Sequence, residues 1–185
     1  MLKELKRWLR NERQDRTIFD VVVYGSAVKS KDFPSDIDIA VLFIKGTLKE
    51  RLSKIQSIKK KIKLPNRIDI KGILLEELFQ EQFFARSGIL LEGISIFDDK
   101  PFAHKIGFEG WAMFVYSLRN KTHAQKVKFN YLLRGRSVIG LIKKFEGKHL
   151  SPGIILIPIK NSIIFEDIFK SHKIDYSKKN ILLER

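Results

Sequence analysis

Apolar and polar positions along this chain follow two periods, and each predicts a different element. In residues 2–16, Leu2, Leu5, Trp8 and Leu9 recur at helical spacing with charges between them. That pattern predicts an amphipathic helix packed on a sheet. Residues 18–24 hold the apolar run Val21-Val22-Val23, which stops at Tyr24-Gly25-Ser26. They read as a buried strand ending in a turn, with a short helical turn near residues 26–29. After a polar loop, Asp36-Ile37-Asp38-Ile39 opens a second strand that runs to about residue 44. Gly46 breaks it. Thr47 with Glu50 forms the signature of a capping box for a helix over about 47–63, stopped by Leu64-Pro65-Asn66. Residues 67–74, RIDIKGIL, alternate as a third strand, residues 75–87 read as helical, and residues 94–97 read as a short fourth strand.

Beyond the turn-like Asp98-Asp99-Lys100-Pro101 the pattern changes. A broad apolar surface over 108–118 predicts a helix. Thr122 is placed to cap another helix, which reaches about residue 133 and ends at Gly135. A short helix over 138–145 ends at Gly147. A strand over 153–159, a helix over 162–171 and a last strand over 180–183 complete the chain. The mixture of elements is an α+β pattern. It divides into a domain over 1–100 and a basic helical or α/β region over 101–185.

Composition narrows the function classes. At 185 residues, 44% of them hydrophobic, the chain is long enough to bury a real core. No apolar run approaches the roughly 18–20 residues that a membrane-spanning helix needs, and the charged start has no apolar stretch of a secretory signal. Both point to a cytoplasmic protein with no membrane partner. The chain has no Cys, which removes disulfides, thiolate nucleophiles and cysteine metal sites. His104, His123, His149 and His172 stand at no ligand spacing, and Ser117, Ser151 and Ser162 lack a nucleophile-elbow context.

Formal charge is +15, and it is unevenly spread. Residues 1–100 carry 20 Lys+Arg against 15 Asp+Glu, and residues 101–185 carry 16 against 6. Such a field draws polyanions such as nucleic acid, nucleoside triphosphates or an acidic protein surface, although solvated lysines also serve solubility alone. The segment RNKTHAQKVKFNYLLRGR concentrates the basic residues Arg119, Lys121, Lys126, Lys128, Arg134 and Arg136 around Phe129 and Tyr131. It suits a phosphate backbone with stacked bases. Its other reading is an amphipathic helix with Val127, Tyr131 and Leu132 inward and its bases in water.

The candidate chemistry lies in residues 19–42. Strand side chains alternate faces, so Asp36 and Asp38 share one face while Ile37 and Ile39 share the other. Two carboxylates on one strand face beside a glycine turn point to a divalent-metal site facing a phosphate-sized space. Asp69, between Ile68 and Ile70, is a third carboxylate on a strand face. Other readings stand beside this one: Asp36 as a turn cap, Asp38 as an edge-strand acid, Asp69 as an ion-pair partner of Arg67 or Lys71, and Lys29 as a solvated loop cation.

These residues carry a resemblance. Gly25-Ser26, nine intervening residues, then Asp36-Ile37-Asp38, with Asp69 on a later strand, is similar to the nucleotidyltransferase superfamily that includes DNA polymerase beta, and most resembles its minimal nucleotidyltransferases. Leu90-Leu91-Glu92-Gly93-Ile94-Ser95-Ile96 resembles the closing segment of that domain, so the resemblance covers about residues 1–100. It implies a nucleotidyltransferase-like mixed β-sheet flanked by helices, with the basic C-terminal α/β region as an extension. It also implies Mg2+-dependent transfer of a nucleoside monophosphate from an NTP such as ATP to a nucleic-acid end, a protein or a small hydroxyl compound. Asp36, Asp38 and Asp69 would hold two Mg2+ ions, with Asp69 nearest the acceptor. Gly25, Ser26 and Lys29 would meet the triphosphate. Ala27 stands where this family often has an Arg, and the following loop is one residue shorter than in many members. Two alternatives remain open: an antitoxin-type minimal nucleotidyltransferase that modifies or binds a partner protein, and a non-catalytic nucleic-acid-binding module.

Overall fold

The computed structural model describes residues 2–29 and 36–185, with Lys29 described in its backbone alone. The chain forms two compact units, residues 1–107 and 108–185.

In the first unit, helix α1 (Leu2–Leu9) and a 3-10 turn (Arg10–Gln14) lead into strand β1 (Ile18–Tyr24). A one-turn helix α2 (Ser26–Lys29) follows, then β2 (Asp36–Phe43), helix α3 (Leu48–Lys61) and β3 (Arg67–Leu74). A two-residue strand β4 (Ile94–Ser95) and a short helix α4 (Phe102–Lys105) close the unit. The sheet order is β3-β2-β1-β4. β1 runs antiparallel to β2 and β4, whereas β2 and β3 are parallel and joined by α3. This is the α+β class with a mixed sheet. Thr47 and Glu50 cap α3 reciprocally, as their spacing predicts.

One face of the sheet holds the main core. Val21, Val23, Ile37, Ile39, Val41 and Phe43 pack with Leu5 and Leu9 of α1 and Ile58 of α3. The opposite face carries the alternate positions of the same strands, including Asp20, Tyr24 and Asp38. Asp20 is fully buried there. It accepts hydrogen bonds from Ser95 Oγ at 3.0 Å, from Lys105 Nζ at 2.9 Å and from the Val21 amide at 2.7 Å. Lys105 also donates to the Phe19 carbonyl and pairs with Asp98. The network ties α4 to β1 and β4. Burial pushes the Asp20 carboxyl above the usual carboxylate range, against the opposing pull of Lys105 and Ser95.

Residues 75–87 do not form the expected helix. A 3-10 turn (Glu77–Phe79) and, further on, a π-helical turn (Gly88–Glu92) take their place. Leu78 alone is buried in the first of these, while Phe79 and Phe84 face solvent, so no continuous apolar stripe exists to propagate a helix.

The second unit is built on an antiparallel sheet of order β6-β7-β5-β8. Its strands are β5 (Phe108–Ser117), β6 (Lys148–Ser151), β7 (Ile154–Pro158) and β8 (Asp175–Glu184). Helix α5 (His123–Arg134), the short α6 (Leu141–Lys144) and helix α7 (Ser162–Ser171) complete it. Ala112, Phe114 and Tyr116 of β5 pack with Phe129 and Leu133 of α5 and with Phe165 and Phe169 of α7. Residues 108–118 are therefore a strand and not the expected helix. Their buried residues recur with period two, but Trp111 on the other face is buried as well, which hides the alternation in the sequence. β8 pairs with β5 along its whole length, well beyond the residues 180–183 expected of it, and β6 is a strand the periodicity does not announce. Thr122 and Gln125 form the capping box that starts α5. Among the described residues, no helix is long and apolar enough to cross a membrane.

The Asp20–Lys105 pair gives a stability prediction. Lys105→Met leaves a carboxylate alone in the core and lowers the unfolding free energy by about 3 kcal/mol in urea denaturation. Asp20→Asn combined with Lys105→Met loses less, since the amide carries no charge. Equal losses in the two variants would contradict this account.

Candidate functional site

The site begins where β1 ends and β2 starts. Tyr24 stands opposite Asp38 in the antiparallel pair, and Asp38 stands beside Asp69 in the parallel pair. Register partners on neighbouring strands share a face and lie about 5 Å apart. Tyr24, Asp38 and Asp69 therefore form one row across three strands, on the face away from α1 and α3. Asp38 is half-buried and Asp69 exposed. Asp36 lies two residues before Asp38 on the same face, exposed at the start of β2, with Arg67 as its register partner. Ion pairs among the described residues of this unit engage the carboxylates of Glu12, Asp15, Asp20, Glu77, Asp98 and Asp99. Among the described residues, no group of three or more His, Asp or Glu side chains is close enough to hold a metal ion together. The structure thus joins Asp38 with Asp69 and keeps Asp36 at the strand entrance.

Gly25 sets the other wall. Its φ is +75°, a left-handed conformation that favours glycine. A Cβ placed there would lie 2.4 Å from Asp38 Oδ2. The turn after β1 is therefore packed directly on the carboxylate, and no side chain fits between them. Ser26 follows at the exposed start of α2. Ala27 points the other way and is buried in the α1–α3 core cluster. The Lys29 side chain lies outside the described residues.

Tyr24 is the residue the sequence reading passes over. Its side chain is 6% exposed, and its hydroxyl is buried with no hydrogen-bond partner among the described residues. The phenol is pushed up to about 12, first by burial and then by the negative charges of Asp38 and Asp69. Its place immediately before the glycine turn, opposite the second acid of Asp-x-Asp, is the signal that could have found it.

The six basic residues of 119–136 do not form one stripe. Arg119, Lys126 and Arg134 line a groove of about 830 Å3 with Asn130 and Tyr131. Lys121 and Lys128 line a separate one with Phe129 and His172. Arg136 sits with its guanidinium 5.2 Å from the Tyr131 ring centre. Asn130 and His149, whose Nε2 lies 2.5 Å from an Arg134 nitrogen, join the first group without having been expected there. The i, i+4, i+8 spacing of Lys126, Asn130 and Arg134 was the available signal.

A mixed sheet with this strand order, and acids on the strands beside a Gly-Ser turn, define a nucleotidyltransferase-like α+β fold. A family model described as Polymerase beta, Nucleotidyltransferase matches residues 3–100, more than half of the chain, and the chain belongs to that family. Among individually curated proteins, none matches it.

The phenol of Tyr24 reports the carboxylate row. In an NMR titration of ring-labelled tyrosine, Tyr24 ionises near pH 12, against an ordinary value of 10.0. Because the folded value is the higher one, its contribution to stability is complete below pH 10 and is lost as pH rises through 12. Asp38→Asn with Asp69→Asn lowers the midpoint but leaves it above 10, since burial is the larger cause. An unmoved midpoint would show that the two acids do not act on the ring.

Proposed function

We propose that residues 3–100 carry out nucleotidyl transfer, moving a nucleoside monophosphate from an NTP to a hydroxyl acceptor, with Mg2+ as the cofactor. The observation that carries this reading is the contact between Gly25 and Asp38: a glycine turn with no room for a side chain, pressed on a carboxylate that stands beside Asp69.

The donor set suits the cation. Mg2+ prefers hard carboxylate oxygens and keeps several of its waters. Asp38 and Asp69 offer such oxygens from adjacent strands, and Asp36 offers a third from the same strand face. The glycine turn beside them leaves the Asp38 carboxylate facing main chain with no intervening side chain. When bound, two Mg2+ ions would neutralise charge on the phosphates and the departing pyrophosphate. Asp36 and Asp38 would hold both ions, and Asp69 the one nearer the acceptor.

The chain's own residues do the rest. Gly25 lets the main chain approach the triphosphate, and Ser26 offers its hydroxyl and amide to the phosphate oxygens. Lys29 adds a cation in the same loop. Asp69, exposed at the end of the row, would accept the proton of the attacking hydroxyl. The acceptor oxygen bonds to the α-phosphorus, the bond from that phosphorus to the bridging oxygen breaks, and pyrophosphate leaves with that electron pair. Tyr24, buried beside Asp38 at the β1 end of the row, would keep water from that side of the carboxylate.

The test incubates the protein with each labelled NTP, Mg2+ and cell extract, beside the Asp36→Ala, Asp38→Ala variant. Wild type transfers label to RNA, to a protein or to a small acceptor, and the variant loses about 10^2–10^3-fold or more of the rate. Label in one protein would identify a partner-modifying enzyme of the antitoxin kind. No metal-dependent labelling by wild type, with RNA binding retained by both proteins, would sink the catalytic reading and leave a binding module.

A further inference from the structure

The groove on the second unit has the chemistry of a polyanion site. It is formed by the end of β5, one side of α5 and the β6–β7 hairpin, and encloses about 830 Å3. Arg119, Lys126 and Arg134 line it, and among the described residues no Asp or Glu does. Grooves on the first unit differ. There Arg51 and Lys54 are paired with Glu77, Glu12 and Asp15, and the groove beside α1 includes Asp98 and Asp99. Residues 108–185 hold 15 Lys+Arg against 6 Asp+Glu, so the surrounding field has the same sign as the groove.

The geometry selects among polyanions. Lys126, Asn130 and Arg134 repeat every four residues, so the two cations stand about 12 Å apart along α5 with an amide between them. That is a track for a chain of phosphates and not a cup for one. Tyr131, 43% exposed, lines the same groove, with Arg136 against its ring. An aromatic face backed by a guanidinium is a stacking platform for a base. Arg134 is also fixed in place. Its guanidinium offers only donors, so His149 Nε2 accepts from it, and the other Arg134 N–H groups stay available. Burial and Arg134 both hold His149 below its ordinary pKa, which keeps that nitrogen an acceptor at neutral pH.

We propose that this groove binds single-stranded nucleic acid, with Arg119, Lys126 and Arg134 on separate phosphates along the strand and a base stacked on Tyr131. The site lies wholly in residues 108–185. It rests on none of the reasoning about Asp36, Asp38 and Asp69, although a nucleic acid held there would be a natural acceptor class for nucleotidyl transfer.

The test is fluorescence anisotropy of the full chain with a fluorescein-labelled single-stranded RNA of roughly ten nucleotides, in about 0.15 M KCl. Circular dichroism checks that each variant is folded. Arg119→Gln with Lys126→Gln should weaken binding about tenfold or more and flatten the log Kd against log salt slope by about 1.4, two phosphates at ~0.7 each. Tyr131→Leu should weaken it about fivefold or more. Lys121→Gln with Lys128→Gln removes the same charge from the other groove and should change Kd less than about threefold. Asp38→Asn with Asp69→Asn should leave RNA binding unchanged, so this result and the transfer assay fail or succeed separately. Equal losses from the two lysine-containing pairs would mean diffuse attraction and overturn the site. So would absence of RNA binding, displacement of the RNA by equimolar ATP, which would make it a mononucleotide site, or tighter binding of poly-glutamate, which would make it an acidic-protein surface.

Discussion

Everything at the candidate site depends on one pairing register, the one that sets Asp38 of β2 beside Asp69 of β3. Two carboxylates side by side repel each other, and nothing in that row repays the repulsion. The register is held from the other face. Ile37 and Ile39 pair with Ile68 and Ile70, and all four belong to or pack on the α1–α3 core. A slip of one residue would turn these isoleucines to water and bury the acids, so the apolar face fixes the polar one. The crossover helix α3, started by its capping box, delivers β3 parallel to β2 at that register. The core thus stabilises a concentration of negative charge that the polar face alone would not tolerate.

Much of this was legible in the sequence, because it follows from local rules. Alternation puts Asp36 and Asp38 on one strand face, Thr47-x-x-Glu50 announces α3, and Gly25 marks the turn. What alternation could not give is which strand lies next to which. The row formed by Tyr24, Asp38 and Asp69 is a product of pairing, so the local sequence marks Tyr24 only as the end of an apolar run. The error at 108–118 has a related cause. One buried residue on the second face, Trp111, blurs the alternation, and Phe108, Trp111, Met113 and Phe114 fit a helical spacing as readily as a strand. The failed helix at 75–87 is the reverse case: apolar residues were present, but Phe79 and Phe84 found no partner surface.

The basic segment 119–136 shows how a helix sorts charges that composition lumps together. Six cations read from the sequence as one patch, but helix α5 sends residues 126, 130 and 134 to one side and residues 125 and 128 to another, where Lys121 joins them from before the helix. The inward row, Phe129 and Leu133, is what fixes that division, since it packs with Tyr116, Phe165 and Phe169. The position of a cation relative to the buried stripe, more than its count, decides whether it stands near an aromatic ring and an amide or only in water.

Ala27 shows the same principle acting on the glycine turn. A long cation at this position would have to leave the α1–α3 core, where the alanine is 5% exposed and packed among Leu5, Leu9 and Ile58. Position 27 therefore serves the core, and any positive charge beside Asp38 must come from elsewhere in the sequence. Lys29 and Lys31 are the cations that the sequence places next. The turn is thus divided in two, with Gly25 packed on Asp38 and Ala27 in the core. The small size of Ala27 is what lets α2 sit close enough to β2 for Gly25 to press on the carboxylate.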